Sequence, residues 1–138
     1  MPQQLAKPVV FIVDDEESVR KGLSLLIRSA GMTCRAFESA EQFLAEVELG
    51  QKGCVLLDIT MPRLSRLQLQ KLLNQRKLSL PVIAISARDD SETSSLARRL
   101  GARFFFRKPV DDQALLDAIH WVLEGEQPSQ KEVIPKTK

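Results

Sequence analysis

The segment VVFIVDDEES occupies residues 9–18, where five apolar residues run directly into four acids, Asp14, Asp15, Glu16 and Glu17. An unbroken apolar run of this length fits a strand buried on both faces of a parallel sheet. Two acids at the end of such a strand are ordinary when solvated. They are costly when they converge with other carboxylates in a cleft, unless a cation lies between them. The remainder of the chain decides between these cases.

Downstream, the hydrophobic period alternates. Residues 18–30 carry apolar side chains at 19, 23, 26, 27 and 30, one helical stripe, and Gly31 follows as a stop. MTCRAF (32–37) alternates like a strand. Ser39 with Gln42 forms a capping box for a helix expected to end near Gly50. CVLLD (54–58) is a short apolar run ending in an acid, and the leucine-rich residues 64–77 predict a third helix. VIAIS (82–86), a helix over 91–100 closed by Gly101, RFFF (103–106) and a helix from Asp111 to Leu123 complete the series. Five strands alternating with five helices predict an α/β, doubly wound, five-stranded parallel sheet. Right-handed crossovers at this size favour the flavodoxin-like order 2-1-3-4-5. The domain is expected over residues 1–125. The polar segment 126–138, with two prolines, reads as a flexible tail or linker stub.

Bulk composition narrows the function classes. The 138 residues are 43% hydrophobic and 28% charged, as expected for one globular domain. A net charge of +2, from 20 basic and 18 acidic residues, gives no global reason to bind nucleic acid. Cys34 and Cys54 lack CxxC spacing and lie in apolar runs, which reads as two buried, reduced thiols, and one histidine excludes a Cys/His zinc site. The N-terminus has no signal-peptide core, and no apolar run approaches the ~20 residues of a membrane span. A cytoplasmic protein without membrane contact is expected.

In an open parallel sheet, ligands bind outside the carboxyl ends of the strands. Strand one ends in Asp14 and Asp15, strand three in Asp58 and strand four in Ser86, and Lys108 follows strand five. Strands one and three are neighbours in the expected order, so the three aspartates should converge. Two carboxylates ~4 Å apart repel by about 4 kcal/mol at an effective dielectric of 20. Three in a cleft take up protons or bind a cation. With only oxygen donors that cation is hard, Mg2+ first. Lys108 adds a positive point charge, Ser86 a hydroxyl, and the backbone N–H groups of Thr60 and Ala87 point toward the same edge. This set matches the needs of a transferring phosphoryl group, with one aspartate as nucleophile.

VDDEESVR (13–20), LLDITMP (56–62), Ser86–Ala87 and Lys108–Pro109 together resemble the receiver domain of two-component response regulators, over about residues 8–124. The resemblance implies that Asp58 accepts a phosphoryl group from a phosphohistidine of a sensor histidine kinase. Asp14, Asp15, Asp58 and the backbone carbonyl of Thr60 would hold Mg2+. Lys108 would grip the phosphate before a cis bond to Pro109, with the N–H groups of Thr60 and Ala87 beside it. Ser86 stands at the switch hydroxyl and Phe105 at the switch aromatic. The module would be a phosphoacceptor that also loses its phosphate by itself, and not an enzyme in the ordinary sense. Its output surface would be the fourth predicted helix, fifth strand and fifth helix, where a partner or a second copy docks. The style of residues 13–31 resembles regulators with a C-terminal DNA-binding domain. No helix-turn-helix follows Gly125 here, so transcriptional control would act through a domain not on this chain.

Two departures stand out. The family usually has a glycine four residues after MP, where this chain has Arg66. If the position requires φ > 0, the arginine costs about 1–2 kcal/mol and reshapes the loop, with Arg63 or Arg66 leaning over the phosphate site. SARDD (86–90) carries Arg88 and two acids where glycine-containing loops are common. The alternative function is a pseudo-receiver, an interaction domain without useful phosphotransfer, and Arg66 is its support. A small-molecule phosphatase of this architecture would need a capping insertion, and a nucleotide binder a Gly-rich loop after strand one; neither is present. Arg98, Arg99, Arg103 and Arg107 read as a solvated face or docking surface rather than a nucleic-acid patch. His120 reads as a surface residue and Trp121 as the flank of the last helix's buried stripe.

Overall fold

A computed structural model describes residues 7–48, 50–61 and 80–124. The expected helix over 64–77, Pro62, Arg63, Arg66, Gly125 and the segment 126–138 lie outside the described residues. The observed order is β1 (Val9–Val13), α1 (Glu17–Ser29), β2 (Thr33–Phe37), α2 (Ala40–Glu46), β3 (Gly53–Asp58), β4 (Val82–Ser86), α3 (Ser91–Arg99), β5 (Phe104–Arg107) and α4 (Asp112–Leu123). The five strands form one parallel sheet in the order β2-β1-β3-β4-β5, as expected. None of the helices among the described residues is long and apolar enough to cross a membrane.

The pleat sends alternate residues of each strand to opposite layers. Val10, Ile12, Cys54, Leu56, Ile83 and Ile85 face Ile27 of α1 and Leu115, Ala118, Ile119 and Val122 of α4. Phe11, Val13, Val55, Leu57 and Ala84 face Ala40 and Phe43 of α2 and Ala97 of α3. Phe104 and Phe106 join the first layer, stacked at 6.3 Å, and Phe105 the second, as the alternation predicts. Trp121 is half-buried at the edge of the first layer, and His120 is exposed.

Local departures have local causes. Helix α2 stops at Glu46 rather than near Gly50, because Val47 turns to extended backbone with ψ 142°. Its capping box is shifted by one residue: Ser39 Oγ accepts from the Gln42 N–H, while Gln42 Oε1 accepts from the Glu38 N–H instead of that of Ser39. Strand β5 starts at Phe104, one residue later than expected. Strand β2 pairs only with β1 at the sheet edge, so Ala36 is exposed, and Cys34 is half-buried rather than buried. Cys54 is buried as expected, and burial pushes its thiol pKa up to about 12. Both thiols are free.

Gly53 is a position where no other residue fits. Its φ is +139°, and a Cβ there would lie 1.8 Å from the carbonyl oxygen of Val9. The chain enters β3 directly against β1, where Val9 pairs with Gly53 and its N–H donates to Lys52 O at 2.9 Å.

Candidate functional site

The register of the sheet sets the site. Val13 pairs with Leu57, so the residues that follow, Asp14 and Asp58, leave adjacent strands side by side. Asp58 pairs with Ile85, which places Ser86 one step beyond. The Lys108 N–H donates to Ser86 O at 2.8 Å and brings the end of β5 to the same edge. The Lys108–Pro109 bond is cis. Asp14, Asp58 and Ser86 are buried, with 2%, 4% and 0% of their surface exposed, at the edge of a mostly apolar interior.

Lys108 joins the carboxylates. Its Nζ lies 2.9 Å from Asp14 Oδ2, 3.0 Å from Asp58 Oδ2 and 3.4 Å from Glu16 Oε1. The far oxygens are held by backbone and hydroxyl donors. Asp14 Oδ1 accepts from the Glu16 N–H at 2.9 Å. Asp58 Oδ1 accepts from the Thr60 N–H at 2.9 Å and from Thr60 Oγ1 at 2.8 Å. Asp15 is less buried, and among the described residues its carboxylate makes no hydrogen bond or ion pair. Carboxylate oxygens of Asp14, Asp15 and Asp58 nevertheless all lie within 4.8 Å of one another.

Electrostatics follow from this crowding. Loss of hydration raises the Asp14 pKa, and the Asp58 charge adds to the rise, against the Glu16 N–H and Lys108, which lower it. For Lys108, burial works toward a lower pKa, but hydrogen bonds and charge from Asp14 and Asp58 outweigh it and hold the ammonium above the ordinary lysine range. One ammonium cannot neutralise three carboxylates. The donor set is all oxygen, close-packed and negative in excess, so Asp14, Asp15 and Asp58 fit a hard divalent cation.

Around this centre, the expected residues have these places. Thr60 is beside Asp58, but its N–H is committed to Asp58 Oδ1 rather than directed outward. Ala87 is exposed immediately after Ser86, and its N–H has no partner among the described residues. The Ser86 hydroxyl accepts from the Arg88 N–H at 2.8 Å. Phe105 is half-buried, packed against the layer of α2 and α3.

The contacts of three residues, Glu16, Arg20 and Arg88, were not legible from the motifs. Glu16 serves the site with its N–H and its carboxylate. Arg20 of α1 donates from Nη1 to the Asp14 carbonyl at 2.8 Å. Arg88 donates to Asp90 Oδ2 at 2.7 Å, while Asp90 Oδ1 caps α3 by accepting from the N–H and Oγ1 of Thr93. The Thr93 N–H, then its hydroxyl, then Arg88 hold the Asp90 carboxyl down at about 2. The Asp–x–x–Thr spacing at 90–93 is a readable cap signal. Arg20 had none, because nothing local marks where this half-buried arginine folds back.

Comparison with known proteins agrees with this geometry. The family model for the response regulator receiver domain matches residues 10–120. The transcriptional regulatory protein TdiR of Thauera aromatica is 44% identical over 114 residues, covering 83% of this chain and 50% of TdiR. The response regulator protein TmoT of Ectopseudomonas mendocina is 39% identical over 128 residues, covering 93% and 58%. The crystal structure of FixJ-N superposes with a TM-score of 0.74 at 33% identity, over 88% of this chain and 98% of that one. The chain thus spans about half the length of the curated relatives it matches. With the family model matching most of its length and the strand-end acids meeting at one sheet edge, the chain belongs to the response regulator receiver domain family.

Proposed function

We propose that this chain is the phosphoacceptor module of a two-component response regulator, with Asp58 as the acceptor and a sensor histidine kinase as the donor. One observation carries the reading. Asp58 is a buried carboxylate at the end of β3, 3.0 Å from the Lys108 ammonium and within 4.8 Å of two further aspartates. In the transfer, an Asp58 oxygen attacks phosphorus in line, a P–O bond forms, the P–N bond to the kinase imidazole breaks, and the imidazole leaves. Lys108 meets the charge on the phosphoryl oxygens, and Thr60 holds the second Asp58 oxygen. Asp14, Asp15, Asp58 and the Thr60 carbonyl would hold Mg2+, which when bound neutralises phosphoryl charge. Attack of water on the same phosphorus returns the Asp58 carboxylate and inorganic phosphate, so the signal decays without a separate enzyme.

Phosphorylation adds about −1.5 to −2 charges. Ser86 then turns its hydroxyl toward the phosphate and leaves the Arg88 N–H, and Phe105 moves into the vacated space. The surface of α3, β5 and α4 repacks, where a second copy or a C-terminal DNA-binding domain outside this chain would respond. The name of TdiR, a transcriptional regulatory protein, supports a place in transcriptional control.

The test is intact-mass spectrometry after incubation with acetyl phosphate and Mg2+, on the native chain and Asp58→Ala. One phosphoryl adduct is expected that requires Mg2+, decays on standing and is absent from the variant. No adduct under any metal condition, with the fold intact by circular dichroism, overturns the reading and leaves a pseudo-receiver.

A further inference from the structure

We infer that Arg20 is a positioning residue for the acidic site: by clamping the Asp14 carbonyl it sets where the Asp15 carboxylate stands. The inference rests on the reading above that Asp14, Asp15 and Asp58 hold Mg2+.

The three acids are held unequally. Asp14 and Asp58 are each fixed through both carboxylate oxygens, by Lys108 on one side and by Glu16 or Thr60 on the other. Asp15 has no side-chain partner among the described residues, yet its oxygen lies within 4.8 Å of theirs. Its place must therefore come from its backbone. The Asp14 carbonyl and the Asp15 N–H belong to one planar peptide unit, so a group that fixes the carbonyl fixes the plane from which Asp15 departs. That group is Arg20, whose Nη1 donates to Asp14 O at 2.8 Å. On the other side of the residue, the Asp14 N–H donates to Phe37 O at 3.1 Å. The turn from β1 into α1 is pinned between these two bonds.

Helix stability does not account for the arginine. Arg20 sits in the first turn of α1, where a cation opposes the helix macrodipole. The side chain of this half-buried residue runs toward the helix N-terminus, the direction in which helical side chains tilt, and this brings the guanidinium onto the carbonyl. There it also brings positive charge close to three carboxylates, which by charge alone weakens cation binding. Clamping and charge thus predict opposite signs when Arg20 is removed. Loss of charge tightens Mg2+; loss of the clamp loosens it.

The experiment is calorimetric titration of the full chain with Mg2+, for native protein, Arg20→Met and Arg20→Lys, with urea unfolding in chelator as a separate reading of stability. Arg20→Met is expected to weaken Mg2+ binding about tenfold, the scale of lost outer-shell support at metal sites. Arg20→Lys, which keeps a donor, is expected to recover most of the loss. The backbone amide resonance of Asp15 is expected to shift in metal-free Arg20→Met, and this holds as a test if the affinity is obscured by instability. Mg2+ binding by Arg20→Met as tight as native, or tighter, overturns the inference, as does an unmoved Asp15 amide. If the native chain itself takes up no Mg2+, the metal reading fails first and this inference falls with it.

Discussion

Replacing Lys108 with Met keeps the length of the stem and deletes the one ammonium shared by Asp14 and Asp58. At an effective dielectric of about 20, contacts at 2.9 and 3.0 Å are each worth about 5–6 kcal/mol of attraction before desolvation is counted. Deleting one partner of a buried pair typically costs about 3–5 kcal/mol, because the remaining charge stays buried. The Lys108 side chain keeps 17% of its surface exposed, which places the expected loss at the lower end, about 3 kcal/mol. For a domain of this size that is about 10 °C in melting temperature. The sign with pH follows from Asp14. Its folded pKa is raised above the unfolded value, and it rises further when Lys108 no longer lowers it. Protonation therefore favours the folded variant as pH falls from 7 toward 4, and the deficit against native protein shrinks. Added Mg2+ should shrink it too, by replacing the missing positive charge. Urea unfolding at pH 7 and pH 4 in chelator, and at pH 7 with Mg2+, measures all three effects. A variant as stable as native protein at pH 7 in chelator, or a deficit equal at both pH values, would refute the electrostatic account.

Gly53→Ala should cost about 3–5 kcal/mol, from the strained φ together with the overlap on Val9 O, while Gly22→Ala, in open space within α1, should gain about 0.5–1 kcal/mol; urea midpoints separate them. Asp90 has a depressed folded pKa, so the stability it contributes is present above about pH 4 and is lost as pH falls toward 2. Asp90→Ala should therefore be less stable than native protein at pH 6, with the gap closing on acidification, read by thermal unfolding across that range. Ser86→Ala should still take a phosphoryl group at Asp58 by mass spectrometry. The phosphorylation-induced amide shifts at Thr93 and Phe105 should fall by at least half, and shifts of native size would remove Ser86 from the switch.

The contrast between Lys108 and Arg20 shows how far the chain could be read. Apolar period and strand ends are local properties, and they placed Asp14, Asp15, Asp58, Ser86 and Lys108 on one edge of a 2-1-3-4-5 sheet, because each strand delivers its own terminal residue there. The α2 terminus was misjudged because Val47 leaves the helix before any glycine or proline marks the stop. Cys34 was misjudged because alternation predicts two faces but does not say which strand is the edge.

By itself, the sequence determined which residues could do chemistry and which strands carry them, since hydrogen-bonded periodicity repeats within a few residues. Only the tertiary structure decided which oxygen meets which donor. Lys108 reaches Asp58 across 50 residues, Gly53 must admit the Val9 carbonyl, and Arg20 must fold back onto Asp14. These depend on strand register and close backbone approach, which arise only when distant segments pack, and no local pattern encodes them.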